Sequence, residues 1–399
     1  MSHFGWLDTS ERDRRKMLDL IDLFQQKETV DELGIGSIRD AIADRLSPGT
    51  STIQTRARYF FFIPWIYLDL ERRRVPNDRI ASAARQVEVS LIASLAKSAD
   101  SAGTIGIQAG PSLKRLPSAV YWAGMKRLGF RLFDGPQERY HRLFEKVIPS
   151  QRRDDSGDTE GLGSPGLNWN PHLPPAPKGF PSDVSLALDR AEAAFFAEQL
   201  GFHAQKSLLH FLVASGDCGD DVAFPWGHPQ FSKMRAELRT WLDHARCYSE
   251  AMHGSALLYN LMLAQKRGDE ELTAEYREWF AEWAELVRDR SAVLREWKLD
   301  EFWSLVRREN PRMPVPAQEF SSQWIRSVQA SNDPLALITD QKLRQLIADR
   351  EHRLKGPRAR LFSPAHLELW GGASGSGQID YRWGITRAIA RDILQGLGA

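Results

Sequence analysis

The side chains of types that do chemistry are few and widely spaced. Glu138/His141 and Glu250/His253 are two Glu-x-x-His pairs, the i, i+3 spacing with which facing helices hold a di-metal carboxylate centre. The glutamates that would bridge two metals cannot be picked out, and a Gly/Pro-rich stretch separates the pairs. No metal centre is therefore expected from them; His253 is read as a helix-packing histidine and Asp243-His244 as a surface pair. Cys218, with His228 ten residues on, has the types of a nucleophile and its base; a loop cysteine with an unrelated histidine is the commoner arrangement. Glu296-Trp297-Lys298 matches the E-x-K of restriction-type nucleases, but sits in a helical pattern without the strand that chemistry needs. The run GGASGSG, Gly371–Gly377, lacks the Lys-Ser/Thr of a phosphate-binding loop and precedes a strand-like segment instead of following one. Ser376 stands where a nucleophile elbow has its last glycine. This run is read as a flexible turn whose N–H groups, near Arg382, could meet an anion. No H-E-x-x-H and no His-x-Lys pattern occurs. No catalytic residue, metal or cofactor is expected.

Charge gives a clearer signal. From residue 45 to 146 there are 17 Lys or Arg against 8 Asp or Glu, a balance of +9 within a chain whose net charge is +1. The centre of this region is STIQTRARYFFFIPWIYLDLERRR, Ser51–Arg74. Bulky apolar residues follow on nearly every side after Tyr59, as in a helix surrounded by protein. Such a helix forces Arg56 and Arg58 to snorkel outward, to pair with carboxylates or to meet an anion. Phosphate contact is the functional reading for Arg56, Arg58, Arg72, Arg73 and Arg74.

Downstream, a helix over 78–97, a glycine turn, the aromatic helix PSAVYWAGMKRLG and the strand-like FRLF run in winged-helix order. Lys114, Arg115, Lys126 and Arg127 would then meet phosphates, with Ser118 or Tyr121 facing a groove. Ordinary helical packing competes with this reading. Trp279, Trp283, Trp297 and Trp303 lie in a charged helical region. Trp279 and Trp283, at i and i+4, form a candidate partner-binding face.

These residues need elements to position them, and the pattern is mainly α and multi-helical. Helices are expected over Asp8–Phe24, after Gly34, from Ser51 or Thr52 through the aromatic stretch, and across most of 184–352. A winged-helix-like N-terminal part and a short β element near the C-terminus complete the expectation. The division is a basic domain over 1–149, a Gly/Pro-rich linker over 150–183, and a helical domain over 184–399. Two cysteines exclude a disulfide scaffold and a thiolate zinc cluster. The charged start is not read as a signal peptide, and no apolar run reaches the ~20 residues of a membrane span. A cytoplasmic protein with no membrane partner is expected.

Four segments, STIQTRARYFFFIPWIY, LPSAVYWAGMKRLG, HARCYSEAMHGSALLYNLMLA and WGGASGSGQIDYRWGITRAIARDIL, resemble in order a bacterial family of unknown function. Its members are often encoded near helicases and phospholipase D-like proteins in anti-phage defence clusters. The resemblance implies a defence role but transfers no catalytic residue. Together with the basic region it gives the leading expectation: a non-enzymatic defence subunit that binds nucleic acid, chiefly DNA, and a helicase or nuclease partner. The rivals are a nuclease with an unrecognised site and a protein-only scaffold.

Overall fold

The computed structural model describes residues 31–148 and 167–398. The helix expected over 8–24 lies outside the described residues. The rest is mainly helical: α1 Gly36–Leu46, α2 Tyr59–Arg72, α3 Ile80–Leu95, α4 Pro117–Arg127, α5 Gln137–Arg142, α6 Phe144–Val147, α7 Arg190–His203 and α8 Leu208–Ser215, then α9 Ala236–Arg267, α10 Glu270–Asp289, α11 Ser291–Glu296, α12 Leu299–Glu309, α13 Val315–Ala330, α14 Gln341–Lys355, α15 Pro364–Glu368 and α16 Trp383–Leu397.

The described chain forms two compact units that are not sequential. The larger takes Ala43–Trp241 and returns at Asp380 for α16; the smaller joins residues 31–42 to Leu242–Ile379. The stretch over 150–183 therefore does not separate the compact units, because segments on both sides of it belong to the larger one. Within its described part, Asn168 and Trp169 are buried.

In the larger unit, α2 packs against α3 and α4, and α16 against α7 and α8. The residues Tyr59–Tyr67 are buried without interruption, which explains the aromatic run. Phe60 and Phe61 meet Phe130 and Phe196, Phe62 stacks on Phe180, and Tyr67 stacks on Trp169. Such ring pairs add to plain apolar burial through their quadrupoles. Helix α2 starts at Tyr59, later than the serine or threonine expected to cap it. Tertiary partners use the preceding amides: Thr55 and Arg56 N–H donate to the Tyr121 hydroxyl, and Ala57 N–H to Asp392 Oδ2 at 2.8 Å.

Two expected β features do not form; among the described residues there is no strand. The winged-helix order stops after α3 and α4. Phe130 and Arg131 N–H both bond back to Met125 O, and the segment makes a single antiparallel bridge, Arg131 to Trp169. The would-be groove residues are inside: Ser118 donates to Glu88 from its backbone and its hydroxyl, and Tyr121 is fully buried. The segment after the glycine run has no strand partner among the described residues either, and its Ile379 O accepts from Ser249 Oγ on α9.

The smaller unit is built on α9. Gly268, at φ +74°, turns the chain, and Asp269 caps α10 through Leu272 N–H, a helix hairpin. Trp283 and Trp324 donate indole N–H groups to the carbonyls of Glu250 and Ala251 on α9, each at 2.8 Å. Residues 31–42 are tied in by Arg350, which donates to Leu33 O and Gly34 O, and by Glu32, which pairs with Lys355 and Arg360.

Candidate functional site

The arginines of the aromatic segment divide by burial. Arg56 directs Nε at both oxygens of Asp392, at 2.9 and 3.0 Å, and its two terminal nitrogens at Asp100, at 2.9 and 3.0 Å. Arg58 is only 7% exposed; it donates to Glu192 at 2.7 Å and to Ser185 O at 3.0 Å. Both guanidiniums thus meet carboxylates of their own unit, the packing alternative of the sequence reading. The Coulomb attraction of these pairs offsets the desolvation of arginines placed beside an all-round apolar helix.

Arg72, Arg73, Arg74, Lys114, Arg115, Lys126 and Arg127 are all exposed. Arg72 and Arg73 lie 3.7 and 3.5 Å from Asp69, and Lys126 donates to Leu132 O. Arg74, Lys114, Arg115 and Arg127 have no ion pair among the described residues. Arg85 on α3 holds the turn before Lys114 by donating to Pro111 O and Leu113 O at 2.7 and 3.0 Å. That fixes the backbone carrying Lys114 and Arg115.

The smaller unit contains an open cleft of about 400 Å³ between one face of α9 and one face of α10. Glu250, His253 and Leu257 come from α9 at i, i+3 and i+7. Trp279, Glu282, Trp283 and Leu286 come from α10 at i, i+3, i+4 and i+7. Ser376, Gly377 and Gln378 close one side. The two candidate tryptophans therefore share a site but not a role. Trp279 is 41% exposed, whereas Trp283 is 3% exposed and forms the wall. Trp283 fits only because residue 254 is glycine: a Cβ there would sit 2.3 Å from its ring.

The glycine run is pinned, contrary to the flexible turn expected. Ser249, His253 and Asn260, at i, i+4 and i+11, run along α9. Ser249 Oγ donates to Ile379 O at 2.7 Å, and His253 Nε2 donates to Ser376 O at 3.0 Å. Asn260 exchanges two bonds with the Ser374 backbone, at 2.9 and 3.0 Å. Tyr276 and Arg360 add bonds to Gly372 O and Ser374 Oγ. Burial lowers the His253 imidazole to about 4, so the ring is neutral at pH 7. Buried polar residues at Ser249 and Asn260, with His253 between them, in the mostly apolar later part of α9 are the sequence signal that points to this arrangement.

The remaining motifs take bland roles. Glu138/His141 and Glu250/His253 fall in different units. His141 bonds the Tyr67 hydroxyl, while Glu250 pairs with Arg246 and Arg290 at 2.6 and 3.0 Å. Among the described residues no three His, Cys, Asp or Glu side chains are grouped to hold a metal ion. His228 has both nitrogens on backbone: Nε2–H faces Asp217 O at 3.2 Å, and Nδ1 accepts from Gln230 N–H. It is not oriented as a base for Cys218, whose thiol burial pushes up to about 11. Trp297, between Glu296 and Lys298, is buried and donates to His244 Nδ1 at 2.8 Å. His244 is thus buried also, not a surface residue. No described helix is long and apolar enough to cross a membrane.

No curated protein and no solved structure matches the chain. A family does, over residues 1–395. The buried aromatic helix, the glycine-seated tryptophan and the railed glycine run are thus features of a chain that belongs to the family of unknown function DUF6361.

Proposed function

We propose that the protein is a non-enzymatic binding subunit, contacting a nucleic-acid backbone through the larger unit and a partner protein through the cleft of the smaller one. The observation that carries this reading is the sorting of basic side chains by burial. Arg56 and Arg58 meet carboxylates and the buried Arg131 meets backbone carbonyls, whereas Arg72–Arg74, Lys114, Arg115, Lys126 and Arg127, which carry much of the excess over 45–146, are exposed. Exposed cations of this kind gain affinity by releasing phosphate counterions, with little sequence preference. The anti-phage role, the helicase or nuclease partner and the cytoplasmic setting enter the proposal from the family resemblance.

Fluorescence anisotropy with duplex and single-stranded DNA across a salt series tests it. Binding should weaken steeply with salt. In a Lys114→Glu, Arg115→Glu, Arg127→Glu variant the log–log slope should fall by about one for each phosphate that is no longer neutralised. No affinity at low salt, or an unchanged slope in the variant, refutes the electrostatic role and favours a protein-only scaffold. Magnesium-dependent cleavage of the same DNA would replace the reading with a nuclease.

A further inference from the structure

The cleft carries information about its occupant. Trp279 offers an exposed indole face, and Glu282, one turn on, is an exposed carboxylate without an ion pair among the described residues. His253 uses Nε2–H on Ser376 O, which leaves Nδ1 as an acceptor with no hydrogen bond among the described residues. The nearby cations Arg246 and Arg290 are both held by Glu250. The lining thus presents a π face and acceptors, and no free cationic donor, the inverse of an anion site. The charge around it agrees: α10 carries seven Asp or Glu against Arg277 and Arg288, and Arg288 faces Asp333. The volume suits one side chain with flanking apolar residues against Leu257 and Leu286.

We propose that this cleft docks an arginine side chain carried on a basic segment of a partner protein. The guanidinium stacks on Trp279 and donates to Glu282, and a neutral His253 accepts without repelling it. This rests on the partner-binding half of the function proposed above.

The test uses the full chain and isothermal titration with a capped Gly-Leu-Arg-Leu-Gly peptide. The comparison peptide has citrulline in place of arginine, which keeps the shape and removes the charge. Saturable binding is expected, at least about tenfold weaker for citrulline. Trp279→Ala should weaken it about fivefold and Glu282→Gln about threefold; both positions are exposed, so folding is retained. Equal affinity for citrulline, no binding of either peptide, or unchanged affinity in both variants overturns the proposal. Displacement by spermidine at equal concentration would also overturn it, by assigning the cleft to small amines. DNA titration of the same preparations separates the two ideas. DNA binding without peptide binding sinks the cleft alone; peptide binding without DNA binding sinks the backbone contact alone.

Discussion

Replacing Arg56 with methionine tests the sorting of arginines directly. Its guanidinium bridges two carboxylates of very different burial. Asp392 is 5% exposed and Asp100 is 38% exposed. Removing Arg56 leaves Asp392, among the described residues, with the Ala57 N–H as its one hydrogen-bond partner. Stranding a buried charge costs about 3–5 kcal/mol, and because Arg56 itself is partly exposed we expect the lower end, about 3 kcal/mol. Asp100→Asn removes the exposed half and should cost about 0–1 kcal/mol. Asp392→Asn keeps an acceptor for Ala57 N–H and leaves Arg56 on Asp100, so its cost should fall between the two. Combining Arg56→Met with Asp392→Asn removes the stranded charge, and the double variant should be more stable than the sum of its parents by about 2 kcal/mol. Urea unfolding of the wild type and the four variants at pH 7 and fixed salt measures this. Strict additivity, or an Arg56→Met cost no larger than that of Asp100→Asn, refutes the reasoning. A variant of unaltered stability but weakened DNA affinity would put Arg56 on phosphate instead.

Gly254→Ala drives a methyl into the Trp283 ring and should destabilise by about 1–3 kcal/mol, read from urea midpoints, with loss of peptide binding at the cleft. Burial pushes the Glu88 carboxyl up to about 7 despite its bonds to Ser118. Its folded value lies above its unfolded one, so its stabilising contribution is full below about pH 4.5 and is lost as pH rises through 7. Unfolding free energies between pH 5 and 8 should therefore fall more steeply for the wild type than for Glu88→Gln, by about 3 kcal/mol in all; parallel profiles would count against it. Cys218 and Cys247 are both buried, with thiols pushed up to about 11 by burial. Iodoacetamide at pH 8 should label them slowly in the native protein and fast in urea, read by mass spectrometry; rapid native labelling of Cys218 would revive it as a nucleophile.

The helical class, α1 with its stop near Ser47, and the start of α4 at Pro117 were legible because they depend on local terms: apolar spacing, a helix breaker and a fixed φ. The aromatic stretch was legible as a surrounded helix because apolar residues on every side leave no solvent face. FRLF was misread because strand propensity needs a partner strand, and among the described residues the segment bridges only Trp169. The glycine run was misread because its rigidity comes from Ser249, His253 and Asn260, more than a hundred residues away.

The candidate sites divide in the same way. The sequence by itself determined where basic charge accumulates and that Trp279 and Trp283 share a helix face, since both follow from composition and the 3.6-residue period. Only the tertiary structure decided that Asp392, 336 residues from Arg56, neutralises one arginine while Arg74 and Lys114 stay exposed. It also decided that Trp283 is wall and Trp279 surface. A buried ion pair or a seat for an indole depends on which distant backbone approaches, and no local propensity encodes that approach.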